Sequence, residues 1–260
     1  VTGDLFPEAD NLVQAARETG IRDERLLGAL RATPRAGFVP ARYRALAYLD
    51  EPIPIANGQT TTQPSLSARM IDGLALTGNE HVLEVGTGLA FQTALLARLA
   101  ADVVSIEMWP QLVRQARRNL ARQSIRNVEL CLGDGSRGVP DRAPYDAILV
   151  SAAFPDVPPP LIEQLRLGGR LVQPIGPGGE EQVVSFQRTA SGLQPDRSSP
   201  WLGSSGCTDG TATRPEPAYA EQPPAAARAR GRRRSRGPAR GGLVEKPLGD
   251  TPSTSLAVRE

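Results

Sequence analysis

The chain has 260 residues, 40% apolar and 22% charged, which suits one α/β domain with a sizeable core. Its formal charge of +2 is uneven: residues 201–260 carry nine Arg and one Lys against six acids, about +4, which leaves about −2 for the rest. No apolar run approaches the roughly 20 residues that span a bilayer, no leader pattern opens the chain, and Cys131 and Cys207 lack metal-ligand spacing; a cytoplasmic protein without zinc or a disulfide framework is expected.

Residues 7–31 predict two short helices. Pro7 suits a first turn, Leu12, Ala15, Ala16 and Thr19 keep a helical spacing, and Asp23 can cap a second helix that bears Leu26, Leu27 and Leu30. Residues 32–64 are rich in proline and turn residues, a long irregular segment of the kind that often carries function. Helix resumes with the stripe Leu66, Met70, Ile71 and Leu74; Thr62 is placed to cap it ahead of Pro64.

From His81 the pattern alternates strand with helix. "HVLEV" predicts a buried strand, and His81, the only histidine, reads as a strand residue, so no Ser-His-Asp triad can be built on another. "FQTALLARLA" is a helix, "DVVSIE" a strand, "PQLVRQARRNLARQ" an amphipathic helix, and "NVELCLGDG" and "YDAILVSAA" strands running into loops. "PPLIEQLRLGG" reads as a helix stopped by its glycines. "RLVQPIG" and "EQVVSFQR" read as strands. This order implies an α/β fold with a doubly wound, mostly parallel sheet. After Arg188 the signal decays, and 205–260, dominated by Pro, Ala, Arg and Gly, reads as disordered.

"VLEVGTGLAFQ" is a strand, a tight glycine turn and a helix start. Gly86 and Gly88 let a ligand approach the backbone, at the end of the strand where open α/β sheets bind ligands. Glu107 ends the next strand, about 20 residues on, where an acid can hold ribose hydroxyls; Asp134 follows the third strand in "GDG". Phe91 stands where the dinucleotide pattern needs a small residue, and the phosphate-loop lysine is absent. Glu84 would repel a pyrophosphate. A cationic, phosphate-free cofactor such as S-adenosylmethionine fits better.

With these residues in view, the stretch from about Asp23 to Arg188 resembles the protein-L-isoaspartate (D-aspartate) O-methyltransferase family. "RATPRAGFVP", "LDEPIPIANGQTTTQP", "VLEVGTGLAFQTALLARLA", "VVSIE", "GDGSRGVPDRAPYDAILVSAA" and "GGRLVQPIG" carry the likeness in order and spacing. The resemblance implies a Rossmann-like methyltransferase that uses S-adenosylmethionine to methylate the α-carboxylate of L-isoaspartyl residues in damaged proteins, the ester then collapsing to a succinimide. It implies N-terminal helices and a substrate loop over 1–64, a core over 65–190 and a divergent, largely disordered tail over 191–260. Cofactor contacts fall on Glu84, Gly86, Thr87, Gly88, Glu107, Asp134 and Gly135, and the isoaspartyl carboxylate on Gln59, Thr60 and Thr62. A monomer acting on isoaspartyl proteins or peptides is expected, with no membrane; nucleic-acid binding would fall to the basic tail alone, by charge, and is disfavoured because the tail lacks the aromatic residues that stack bases.

Three departures from the family pattern stand out. Thr62 replaces a usual Ser, keeping the hydroxyl while restricting χ1. Ala90 puts a Cβ where the backbone is expected to approach the cofactor. No closing strand with a family-like clamp is legible after Arg188. Ala90 and the missing segment keep an inactive binding protein open as an alternative; a carboxyl methyltransferase for aspartate in one dedicated peptide, whose cofactor half would look the same, is another.

Overall fold

The computed structural model describes residues 8–152, 154–175 and 182–196. Strand β1 (His81–Val85) starts the sheet, with β2 (Asp102–Glu107) and β3 (Val128–Leu132) laid parallel on one side of it. On the other side come β4 (Tyr145–Val150) and β5 (Leu165–Ile175), also parallel, then β6 (Gln182–Thr189) and β7 (Gly192–Pro195), both antiparallel. The order is β3-β2-β1-β4-β5-β6-β7. It reverses direction at β1, so the C-terminal ends of β1 and β4 open a crevice.

Strand side chains alternate between two faces, and each face buries its own set. Val82, Val103, Ala147, Leu149 and Val172 join α1 (Ala9–Glu18), α2 (Glu24–Arg31), α3 (Pro64–Asp72), α4 (Phe91–Leu99) and α5 (Pro110–Arg122) in one apolar cluster. Leu83, Val85, Val104, Ile106, Ile148 and Leu171 join α6 (Pro159–Gln164) in a second, through Leu161. The N-terminal helices thus share the core of the sheet. Asp23 caps α2 by accepting from the Arg25 amide, as its sequence position predicts.

Three local expectations are corrected. Thr62 does not cap α3. The N-cap is Gln63, which makes no capping bond of its own; Asp50 caps instead, its Oδ1 accepting from the Ser65 amide (2.8 Å) and its Oδ2 from Gln63 Nε2 (2.7 Å). The glycines of "LRLGG" do not stop a helix. Helix α6 ends at Gln164 because Leu165 is extended and wholly buried, and β5 begins there. Gly168 and Gly169 occupy an irregularity in β5: Tyr145 pairs with Leu165, while Ala147 pairs with Arg170. A Cβ on Gly169 would come within 2.8 Å of the Asp146 carbonyl.

The third concerns the end of the sheet. The chain after Arg188 turns and forms β7, and Arg170 reaches Asp196 beyond it at 3.4 Å. Four residues with a single large apolar side chain are too few to show a period. Backbone pairing with β6 creates the strand. Pro7 and the tail from 197 lie outside the described residues, as does any disorder expected there. His81 is a strand residue as expected, with Nδ1 2.5 Å from Asp102 Oδ2 and its ring stacked on Tyr145.

Candidate functional site

At the end of β1 the backbone bends sharply. The Gly86 amide donates to the Ile106 carbonyl and the Ser151 amide to that of Val85, so the turn is held between the ends of β2 and β4. Gly86 (φ 96°) and Gly88 (φ 55°) both take left-handed backbone angles, which glycine adopts without strain. A Cβ at Gly88 would find only Ile55 Cδ1, 3.8 Å away, so this side of the turn is open. Ala90 is left-handed too (φ 69°), yet its side chain is wholly buried in the helix-side cluster. The extra Cβ therefore enters the core, not the ligand side.

Glu84 departs from its expected place. It is fully buried, and its carboxyl accepts from Thr93 Oγ1 (2.5 Å), Ser105 Oγ (2.6 Å) and, at 3.5 Å, Gln92 Nε2. Thr87 also turns inward, sharing a 2.6 Å hydrogen bond with Ser105. Glu84 and Thr87 thus support the turn from beneath, and only the Thr87 backbone borders the crevice. Burial pushes Glu84 up to about 7; the Ser105, Thr93 and Gln92 bonds oppose that rise, and nearby Glu107 adds to it.

Glu107 stands at the end of β2 with its carboxylate on the turn. One oxygen accepts from the Gly88 amide (2.9 Å), the other from the Trp109 amide (3.0 Å). Next to it, Asp134 is exposed and accepts from the Ser136 amide and hydroxyl, which hold it below the usual carboxylate range. Gly135 sits where a Cβ would collide with Val85 Cγ1. Two apolar residues that sequence reasoning missed complete this edge: Met108 (62% exposed) follows Glu107, and Leu132 (58% exposed) is its register partner. Both leave exposed apolar surface near the ends of β2 and β3. The signal was present, as an apolar residue directly after the acid, but exposure cannot be read from a sequence.

The threonine-rich loop is a small hairpin. Pro54 bridges Thr60, the Ile55 amide donates to the Gln59 carbonyl and the Thr61 amide to that of Ile53; Asn57 (φ 63°) and Gly58 (φ 68°) form the tip. Ile55 packs with Leu89 and Leu112 in a cluster of its own, which seats the hairpin on the glycine turn and the start of α5. Thr60 is exposed, and Gln59 and Thr62 are half-buried. The structure brings Gly86, Gly88, Glu107 and this hairpin together and leaves Glu84 and Thr87 underneath. Sequence reasoning also missed two supports of the hairpin: Asp50 at the start of α3, and Arg35, a fully buried guanidinium.

S-adenosylmethionine suits this crevice chemically. The open turn accepts a chain against its backbone, Glu107 can accept from ribose hydroxyls, and exposed Met108 and Leu132 leave apolar surface near the same strand ends.

Comparison with known proteins agrees with this chemistry. Residues 7–197 match the family model described as protein-L-isoaspartate(D-aspartate) O-methyltransferase. A protein-L-isoaspartate O-methyltransferase of Methanoculleus marisnigri is 52% identical over 170 residues, 65% of this chain and 77% of the relative. One from Myxococcus xanthus is 50% identical over 170 residues, 65% and 80%. A solved protein-L-isoaspartate O-methyltransferase, 28% identical, superposes with a TM-score of 0.62; the match covers 73% of this chain but only 64% of that one. A Plasmodium falciparum structure solved with S-adenosyl-L-homocysteine, a putative member of the same group, shares the fold at 20% identity and a TM-score of 0.61, covering 73% and 93%.

Proposed function

Because the chain belongs to the protein-L-isoaspartate(D-aspartate) O-methyltransferase family, we propose that it transfers the methyl group of S-adenosylmethionine to the α-carboxylate of L-isoaspartyl residues in damaged proteins or peptides. The observation that carries this reading is the seat of the threonine hairpin. Ile55, Leu89 and Leu112 hold hydroxyl and amide donors beside an open glycine turn whose Gly88 amide is tied to Glu107.

The cofactor supplies an electrophilic methyl group on a sulfonium. The chain's own residues supply placement. A carboxylate is ionised at neutral pH and needs no general base, so hydrogen-bond donors and proximity suffice. Gln59, Thr60 and Thr62 orient it, and neutral donors hold it less tightly than an Arg fork would. Gly86 and Gly88 line the cofactor's methionine chain, with the Thr87 backbone between them. Glu107 receives the ribose hydroxyls, and Asp134 and Gly135 border the purine with Met108 and Leu132. Glu84 acts through the turn it supports.

A monomer is the proposed form. Among the described residues no helix is long and apolar enough to cross a membrane; the cytoplasm is the proposed location. The decisive experiment is methyl transfer from labelled S-adenosylmethionine to paired peptides that differ only in isoaspartate or aspartate. Base-labile label on the isoaspartyl peptide alone is the expected result. Label on the aspartyl peptide, or on neither, would overturn it.

A further inference from the structure

Arg35 is the largest fully buried side chain among the described residues, and no carboxylate pairs with it there. Burying a cation is costly; burial works against the Arg35 charge, and nearby Asp50, outside ion-pair distance, supports it, so its bonds must matter. Nη1 donates to the carbonyls of Ala47 (3.1 Å) and Leu49 (3.0 Å). Nη2 donates to the carbonyl of Glu51 (2.9 Å) and to Thr61 Oγ1 (3.2 Å). The guanidinium also lies 5.7 Å from the ring centre of Phe91, the first residue of α4. One side chain thus ties the 47–51 segment and the threonine hairpin to the helix that follows the glycine turn.

We propose that Arg35 and Thr61 are positioning residues for methyl transfer, a buried clamp that fixes which face of the hairpin the substrate carboxylate meets. Thr61 Oγ1 accepts from Arg35 and also from the Ile53 amide (3.0 Å), so its side chain is fixed inward. Successive side chains of an extended segment alternate between faces. Fixing Thr61 inward therefore turns Thr60 and Thr62 to the opposite face, together. A slip of one residue would exchange the faces and present Thr61 instead. Arginine suits the task because its planar fork reaches four acceptors at once; the compact ammonium of lysine does not. The roles of Thr60 and Thr62 rest on the proposed function; the clamp itself does not.

The test uses the full chain and the variants Thr61→Val, Thr61→Ser and Arg35→Lys. Three quantities are read: KM and kcat for the isoaspartyl peptide, Kd for S-adenosylmethionine by calorimetry, and amide hydrogen exchange along residues 47–62. Thr61→Val should raise the peptide KM roughly tenfold, the scale of one lost hydrogen bond, leave the cofactor Kd within about threefold, and speed exchange at the Thr61 amide. Thr61→Ser should restore all three, and Arg35→Lys should follow Thr61→Val. Parallel losses of peptide KM and cofactor Kd would reduce the pair to general structural support and overturn the proposal, as would an unchanged Thr61→Val. Absence of isoaspartyl turnover in the unaltered chain would defeat the functional reading separately. Exchange would still decide the clamp: local speeding that serine reverses upholds it, and no local change sinks it.

Discussion

Burial holds the Glu84 carboxyl near 7 against an ordinary 4.5, and this makes stability depend on pH. Below about 4.5 the folded and unfolded chains both hold the proton. As pH rises toward 7 the unfolded chain ionises first, so the folded state loses stability across that window, by at most roughly 3 kcal/mol. Glu84→Gln keeps the shape and removes the titration. Urea unfolding of the two proteins between about pH 4.5 and 7.5 should show a falling stability for the natural chain that the variant lacks. Glycine positions give a second residue-scale expectation. Gly88→Ala must hold a left-handed angle and should lose roughly 1 kcal/mol of stability, with weaker cofactor binding measured by calorimetry. Gly135→Ala drives a methyl into Val85 and should cost about 1–3 kcal/mol in the same unfolding assay. Glycine identity was plain in the sequence, but its reason differs between the two sites: backbone angle at 88, space at 135.

At the scale of elements, α3 begins on a cap borrowed from fourteen residues upstream. Asp50 satisfies the Ser65 amide and the Gln63 side chain together. Removing an N-cap carboxylate costs about 1 kcal/mol, so Asp50→Ala should lower thermal stability by that much, and Thr62→Val, which removes no cap, should not. Under the proposed function the activity ranking reverses: Thr62→Val should lower methyl transfer and Asp50→Ala much less. A thermal melt paired with the peptide assay separates the two roles. The sequence suggested Thr62 as the cap because local spacing allows it. A long-range carboxylate won because the loop between Arg35 and Pro64 folds back on itself, and no local rule anticipates that return. Helix α6 makes the same point: the glycine pair looked like a stop signal, while the burial of Leu165 ends the helix first.

For the molecule as a whole, the last strand of the sheet among the described residues is β7, ending at Pro195, and the family match ends at residue 197. Every residue assigned to the crevice lies before that point. Deleting 205–260 is therefore expected to leave methyl transfer within about twofold, since no term in proximity catalysis draws on the tail. A loss of activity on deletion would show that the basic tail has a part in turnover. Of the closing strand and clamp not legible after Arg188, the structure supplies a strand, β7, with its Asp196–Arg170 pair; the clamp falls outside the described residues. The concern over Ala90 is eased by the burial of its methyl in the core.

The alternation of apolar runs and amphipathic stretches from His81 to Arg188 was enough to determine a doubly wound sheet, because strand and helix periods are local properties of the chain. The glycine turn, Glu107 and Asp134 could be placed at strand ends for the same reason. Only the tertiary structure decided which side chains meet the crevice. Glu84 and Thr87 lie on the sheet face covered by α4 and vanish beneath the turn; Met108, just past β2, and Leu132, at the end of β3, stay exposed. Burial is a relation between distant segments. So are the grip of Arg35 on Thr61, 26 residues on, and the seat of Ile55 on Leu89 and Leu112, and each exists only once the chain has brought its parts together.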